Sequence, residues 1–315
     1  MVVDGRAVVA LNDSGRRVEL HSMGGALDAD DCAVTDTRRV DIDPNDAEDL
    51  ARGPDGAIWI ADTGDNARSR ETIAVIVVPV DGEPRLHRLT YPDGARNAEA
   101  LLVDPQGRPV VVTKVVGTAE VYRTARPPEG VGPTPLELVG KISLPSSATR
   151  GGPLGGFGSR MVTGAAATHD GRVVALRSYT DAWLYPAPDG DPVAALLAGG
   201  PPLQVPLPDE PQGEAIAFTP AGDLVSGSET RNGVPGEVRV VEGVAGLVTA
   251  TAPGAVPPPD DGTAPAPAPA SEPDAAADGA DDPPSPGLPA ALGGAVVVGV
   301  LLAGIVAMSL PRRRR

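Results

Sequence analysis

Apolar residues in this chain come in short bursts, and each burst is tied to a glycine. A nine-residue frame returns four times: EDLARGPDG from Glu48, EALLVDPQG from Glu99, TGAAATHDG from Thr163 and EAIAFTPAG from Glu214. Each copy opens on Glu or Thr, runs through small and mostly apolar residues, and closes on Gly56, Gly107, Gly171 or Gly222. A short apolar run follows each glycine: AIWIAD, RPVVVT, RVVALR and DLVSGS. Runs this short, bounded by Gly and Pro, predict strand, tight turn, strand. Their return at intervals of roughly 50–65 residues predicts a repeat array or propeller.

Five modules follow from the pattern. The first ends near Ile42, and the others start near Asp43, Asn97, Val162 and Gln212. Each holds about four short strands, the composition of a propeller blade. The fifth is read as ending on a strand at GLVTATA, and the Gly-rich stretch from Arg150 to Gly158 as a flexible loop. The predicted fold is therefore an all-β propeller over residues 1–251, five-bladed by count with six possible. Gly5 and the run RAVVAL match the second half of a frame whose first half is missing, so the first blade is expected to be incomplete at the N-terminus.

The pattern changes after residue 251. Residues 252–287 are rich in Pro, Ala and Asp with almost no large apolar side chain, which predicts a disordered, extended linker. Leu288–Leu310 carries no charge over a length that suits a membrane span. Four arginines close the chain at 312–315, so the basic tail 311–315 is expected in the cytoplasm and the propeller outside the cell, on the plasma membrane. The first residues lack the basic and apolar regions of a signal peptide. An exported domain needs one, so the natural start is expected to lie upstream of Met1.

Composition narrows the chemistry. The net charge is −16, which excludes a nucleic-acid surface built on a basic stripe. Aromatics make up only 3%, so the core must be Val, Leu, Ile and Ala. Cys32 stands alone, which rules out an intrachain disulfide and a Cys-based metal cage. His21, His87 and His169 have no metal-ligand spacing and are read as surface or turn residues. No nucleophile-elbow, Walker or HExxH signal is present.

The register of the hairpins points to a candidate site. An antiparallel hairpin brings the end of its second strand beside the start of its first. Glu48 should then lie near Asp62, Glu99 near Lys114, Thr163 near Arg177, and Glu214 near Glu229. If the first strands line a channel, these residues ring one mouth, with Asn12, Asp13 and Asn66 in the loops above. Three explanations stay open. The carboxylates could pin neighbouring blades by accepting backbone N–H groups. Glu48, Asp62, Asp65 and Asn66 could hold calcium, although their spacing is not that of an EF-hand. Or the mouth could be catalytic, with Lys114 or Arg177 handling a phosphate or ester.

The segments DAEDLARGPDGAIWIADTGDN, YPDGARNAEALLVDPQG, VTGAAATHDGRVVALRSY and QGEAIAFTPAGDLVSGSE resemble a group of exported actinobacterial β-propellers. More loosely, they are similar to the esterase-like phytase propellers, and the resemblance covers about residues 1–250. It implies bound calcium and an acidic channel mouth, carried here by Glu48, Glu99, Glu214 and Glu229. Thr163 in place of an acid and the scarcity of basic residues depart from the phytase pattern. The expected function is a surface-anchored module that binds a small-molecule or envelope-protein ligand. The alternative is a calcium-dependent hydrolase of phosphate or carboxylic esters.

Overall fold

The computed structural model describes residues 1–12, 16–25, 27 and 32–251. The linker, the apolar run Leu288–Leu310 and the basic tail all lie outside the described residues, as does Asp13. Among the described residues no helix is long and apolar enough to cross a membrane.

The described chain is all-β and propeller-like, built of antiparallel meanders in chain order. The first sheet runs β1 (Val2–Asp4), β2 (Ala7–Leu11), β3 (Val18–Met23), β4 (Val34–Val40). Next come β5 (Ala47–Arg52), β6 (Ile58–Asp62), β7 (Ile73–Val78) and β8 (Arg85–Thr90). These are followed by β9 (Ala98–Val103), β10 (Pro109–Thr113), β11 (Thr118–Thr124) and β12 (Thr134–Ser143). A short parallel pairing of β8 with β12, Leu89 opposite Thr134, merges these two meanders into one eight-stranded sheet. Then come β13 (Gly164–Ala167), β14 (Val173–Arg177), β15 (Asp181–Pro186), helix α1 (Pro192–Leu197) and β16 (Leu203–Pro206). The last sheet has three strands, β17 (Gly213–Phe218), β18 (Leu224–Ser228) and β19 (Val238–Val241), and helix α2 (Val244–Thr251) follows it.

All four frames fold as strand, turn, strand. In each turn the glycine N–H donates to the carbonyl three residues back, from Gly56 to Gly53, Gly107 to Asp104, Gly171 to Thr168 and Gly222 to Thr219. The four glycines have φ between 70° and 88°, where a side chain would strain the backbone, which is why the frame closes on Gly. Ahead of Gly5, where half a frame was expected to be absent, three residues form β1, and Asp4 pairs with Ala7 across a tighter two-residue turn.

The core is divided among five apolar clusters, each shared by two neighbouring meanders. One of them packs Met1, Val3, Val8 and Met23 from the first sheet against Ala217, Val225 and Val238 from the last. Strands β1, β5, β9, β13 and β17 meet around the middle. Small residues make this possible: a Cβ on Gly164 in β13 would overlap the Glu214 carbonyl oxygen of β17.

Two expectations fail. The stretch 246–251, GLVTAT, is not a strand but belongs to α2, where Val244 and Val248 are buried four residues apart on one helical face and Leu247 points out. These two valines join the cluster between the last two sheets. The Gly-rich stretch holds a 3-10 helix (Gly155–Arg160), with Gly152 and Gly158 packed against Tyr179.

Candidate functional site

The three glutamates that open the frames share one local device. The β5–β6 pairing jumps from Ala47 opposite Asp62 to Asp49 opposite Ala61, and leaves Glu48 in a bulge. The β9–β10 pairing skips Glu99 in the same way, and β17–β18 skips Glu214. A bulge re-aims the extra residue out of the pleat, and here it turns all three side chains towards one place. The β13–β14 pairing has no such jump. Thr163, the one frame opener that is not an acid, precedes β13, where its N–H donates to the Arg177 carbonyl and its hydroxyl to the Gly213 carbonyl at 3.0 Å.

Lys114, at the end of β10, sits among these acids. Its ammonium pairs closely with Glu99, lies 3.5 Å from Glu214 Oε1, and stands 4.9 Å from the centroid of the Tyr179 ring. The cluster carries more acid than base, and its titration follows from that. Burial, then repulsion from Glu99, Asp46 and Glu214, pushes the Glu48 carboxyl up to about 9. Burial lifts Glu99 to about 7 although Lys114 pulls it down. Burial works against the Lys114 charge, but Glu99, Tyr179 and Glu214 hold it above the ordinary lysine value. Near neutral pH, Glu48 is therefore an uncharged acid beside Glu99, which ionises in that range against Lys114. Gly64 makes room for it, since a Cβ there would overlap the carboxyls of both Glu48 and Asp46.

The other sequence-predicted residues divide between rim and scaffold. Glu229 joins the rim, because Gln212 Nε2 donates to Glu229 Oε2 at 2.9 Å and to Glu214 Oε2 at 3.3 Å. Asn66 Oδ1 accepts from Asn97, whose own Oδ1 accepts the Asp65 N–H. Asn12 closes its own hairpin, bonded to Arg17 O and Glu19 N. Arg177 is wholly buried, and its guanidinium is spent on Glu210 and Ser226, so it is not a ligand-handling group of the mouth. His87, read from sequence as a surface or turn residue, is buried in β8 and bonds the Gly130 carbonyl at 2.7 Å.

The calcium donor set does not form. Asp62 Oδ1 accepts the N–H groups of Asn45 and Asp46 and pairs with Arg70 at 3.1 Å. Both Asp65 oxygens accept backbone N–H groups, from Ser69 and Arg70. Among the described residues no three His, Cys, Asp or Glu side chains gather as metal donors. These residues therefore do not fit a hard cation, which needs carboxylate oxygens not already committed to donors.

Sequence reasoning overlooked Asp49. Fully buried in the middle of the molecule, it accepts the N–H groups of Leu50, of Leu101 in β9 and of Ala165 in β13, and lies 3.6 Å from the Met1 amino group. It does what was assigned to the glutamates, pinning three central strands together. Burial raises it above the ordinary aspartate value, with those three N–H groups holding it down. Its signal was visible in the second position of the frame, which is Ala100, Gly164 or Ala215 in the other copies.

A cavity of about 450 Å³ lies at the opposite, turn end of the central strands, between Ala51, Val103, Ala167 and Phe218. Its lining is mixed, with Arg52, Asp104, His169 and Asp170 among the apolar residues, and it lies away from the acid cluster. The carboxyls and the lysine with strongly shifted titration, Glu48, Glu99 and Lys114, lie at the other end of the strands, and such groups mark that end as the candidate site.

No family model matches the chain, and no curated protein does. Solved structures with related architecture include a gluconolactonase from Xanthomonas campestris, at 16% identity and TM-score 0.42 over 75% of this chain and 68% of that one. A luciferin-regenerating enzyme aligns at 14% identity and TM-score 0.41, covering 76% and 78%. A chain of a nidogen/laminin complex aligns at 10% identity and TM-score 0.39, covering 74% of each. Likeness this distant carries no argument about what the site does.

Proposed function

We propose that this chain is a binding module: a five-bladed propeller held outside the cell by the 252–287 linker and the Leu288–Leu310 span, taking a positively charged ligand at the acid mouth without turning it over. One observation carries the reading. Glu48, Glu99 and Glu214 converge with Asp46 around a single Lys114 that Glu99 and Glu214 already engage. Glu48 is buried among the Glu99, Asp46 and Glu214 carboxyls and there holds its proton, and an added cation would relieve their mutual repulsion. A ligand that brings an ammonium or guanidinium group supplies that charge and displaces that proton.

The test is calorimetry with putrescine and arginine amide at pH 8, in two buffers of different ionisation enthalpy. Binding with net proton release, lost in Glu48→Gln, is the expected result. If neither probe binds, the reading falls.

Ester hydrolysis is the second reading, favoured by the pairing of a neutral acid, Glu48, with Glu99, whose carboxyl ionises near neutral pH, an arrangement suited to acid–base work. It would run without calcium. Turnover of p-nitrophenyl acetate or phosphate that disappears in Glu48→Gln would replace the binding-only reading with this one.

A further inference from the structure

The cavity at the turn end of the central strands lies apart from the acid mouth, and what it can hold does not depend on the reading above. All five inner strands wall it, β1 through Val3, β5 through Ala51, β9 through Val103, β13 through Ala167 and β17 through Phe218. Asp49 ties three of these strands between the cavity and the mouth. The walls are hydrogen-bonded strands, so the space is preformed. Its volume of about 450 Å³ falls in the range of small-molecule sites, roughly 300–1,000 Å³.

The repeat shows what keeps the space open. At the fourth position of the frame three copies carry alanine, Ala51, Ala166 and Ala217, where the other carries Leu102. At the fifth, Ala167 stands where the other copies carry Arg52, Val103 and Phe218. All of these residues line the cavity. The frame accepts larger side chains at both positions, and the alanines leave the room. Apolar wall that faces water costs stability, and a ligand with an apolar body covers it.

The charged groups of the lining decide what else the ligand carries. Arg52 donates to the Val3 carbonyl at 2.9 Å and pairs with Asp4 at 3.2 Å. Asp104 accepts the Gln106 and Arg108 N–H groups and pairs with Arg108 Nε at 2.6 Å. Asp170 accepts the Thr168 hydroxyl at 2.7 Å and the Arg172 N–H at 3.0 Å, with the Arg172 cation beside it. Each charge is met within the protein. A charged ligand would give up its water here without gaining a free counter-charge. His169, exposed at the rim, has no side-chain partner among the described residues, and its imidazole can donate or accept.

We infer that this cavity binds an uncharged small molecule, with an aromatic or alicyclic body against Ala51, Val103, Ala167 and Phe218 and one hydrogen-bonding group at the rim beside His169. Strands and turns surround the volume on all sides, which suits a compact molecule and not an extended chain.

The experiment is methyl NMR with the full-length protein in lipid nanodiscs, carbon-13 labelled at its valine methyls. Three probes share one indole ring and differ in the charge of a short side chain: tryptophol is neutral, indole-3-acetate anionic and tryptamine cationic. Tryptophol should shift the Val3 and Val103 methyls saturably, and the charged probes should act on them at least about tenfold more weakly. Ala167→Phe should weaken tryptophol binding about tenfold or more by filling the cavity. Phe218 shows that the frame carries a phenyl ring at this position, and Ala167 is exposed, so an unchanged melting temperature certifies the fold. If Phe lowers it, Ala167→Leu replaces that variant, with the same expected direction. The inference is overturned if tryptophol leaves both methyls unmoved, if the filled variant binds it as tightly as the parent, or if either charged probe shifts them at the same concentration.

Discussion

At the scale of single residues, the site is a matter of charge balance. Glu48 keeps its proton because it is buried, and because the Glu99, Asp46 and Glu214 carboxyls around it repel a further negative charge. The consequence for stability has a definite sign. With a folded value of about 9 against an ordinary 4.5, the folded state holds a proton that the unfolded chain has released. The contribution is complete below about pH 4.5 and is lost as pH rises towards 9. Glu48→Gln mimics the neutral acid and removes the loss. Its melting temperature should match that of the parent near pH 4.5 and exceed it by several degrees at pH 8–9, at about 2–4 °C per kcal/mol for a domain of this size. Equal melting temperatures across that range would contradict the charge balance. Gly64→Ala should disturb the same site sterically, since the added methyl meets the Glu48 and Asp46 carboxyls.

Individual side chains were unequally legible. The convergence of Glu48, Glu99 and Glu214 could be read because they occupy one position of a repeat, and a repeat transfers geometry from copy to copy. Arg177 misled because strand-end position does not reveal a partner, and its partner Glu210 lies in a connection outside every frame. Asp62 and Asp65 looked like metal donors because sequence displays carboxylates but not the backbone N–H groups that claim them.

At the scale of elements, the bulge is the unit that matters. Three pairings jump at the same place, and each jump aims one glutamate at Lys114 instead of into the packed face. The frame predicted that the glutamates lie near the ends of the hairpins, but not that they leave the pleat, because a bulge adds no residue type of its own. Helix α2 teaches the opposite lesson. Its Val- and Thr-rich sequence has strand propensity, yet propensity gives way to burial, and Val244 and Val248 bury as a helical face. Val248→Asp should therefore unfold the protein or cost it about 3 kcal/mol or more, whereas Leu247→Asp, at an exposed position, should cost less than about 0.5 kcal/mol. Urea denaturation of both variants checks this, and a large loss in Leu247→Asp would contradict the helical face.

At the scale of the whole molecule, architecture was the most legible feature, because turn glycines and short apolar runs repeat and a meander needs little else. The division of labour along the central strands was not legible. One end gathers the coupled carboxyls, Asp49 ties the middle, and a cavity of mixed lining opens at the turn end. Strand ends and middles differ by only a few residues, so nothing in a repeat pattern tells them apart. That no metal donor set gathers among the described residues has a consequence for stability. A cation bound by the folded state would raise its stability. The melting temperature of the protein is therefore expected to be the same in millimolar calcium and in chelator, measured by circular dichroism, and a rise of several degrees in calcium would restore the metal-site explanation.

The claim on which the rest depends is that three bulges bring Glu48, Glu99 and Glu214 together in a buried cluster, where burial and mutual repulsion keep Glu48 protonated at neutral pH. Carbon-13 NMR of protein labelled at the glutamate carboxyl carbons measures it directly, with the Glu48 resonance assigned by its absence in Glu48→Gln. The Glu48 carboxyl should titrate with a midpoint of about 9. A midpoint near the ordinary 4.5 would mean that the acids do not share a site, and the account would fail.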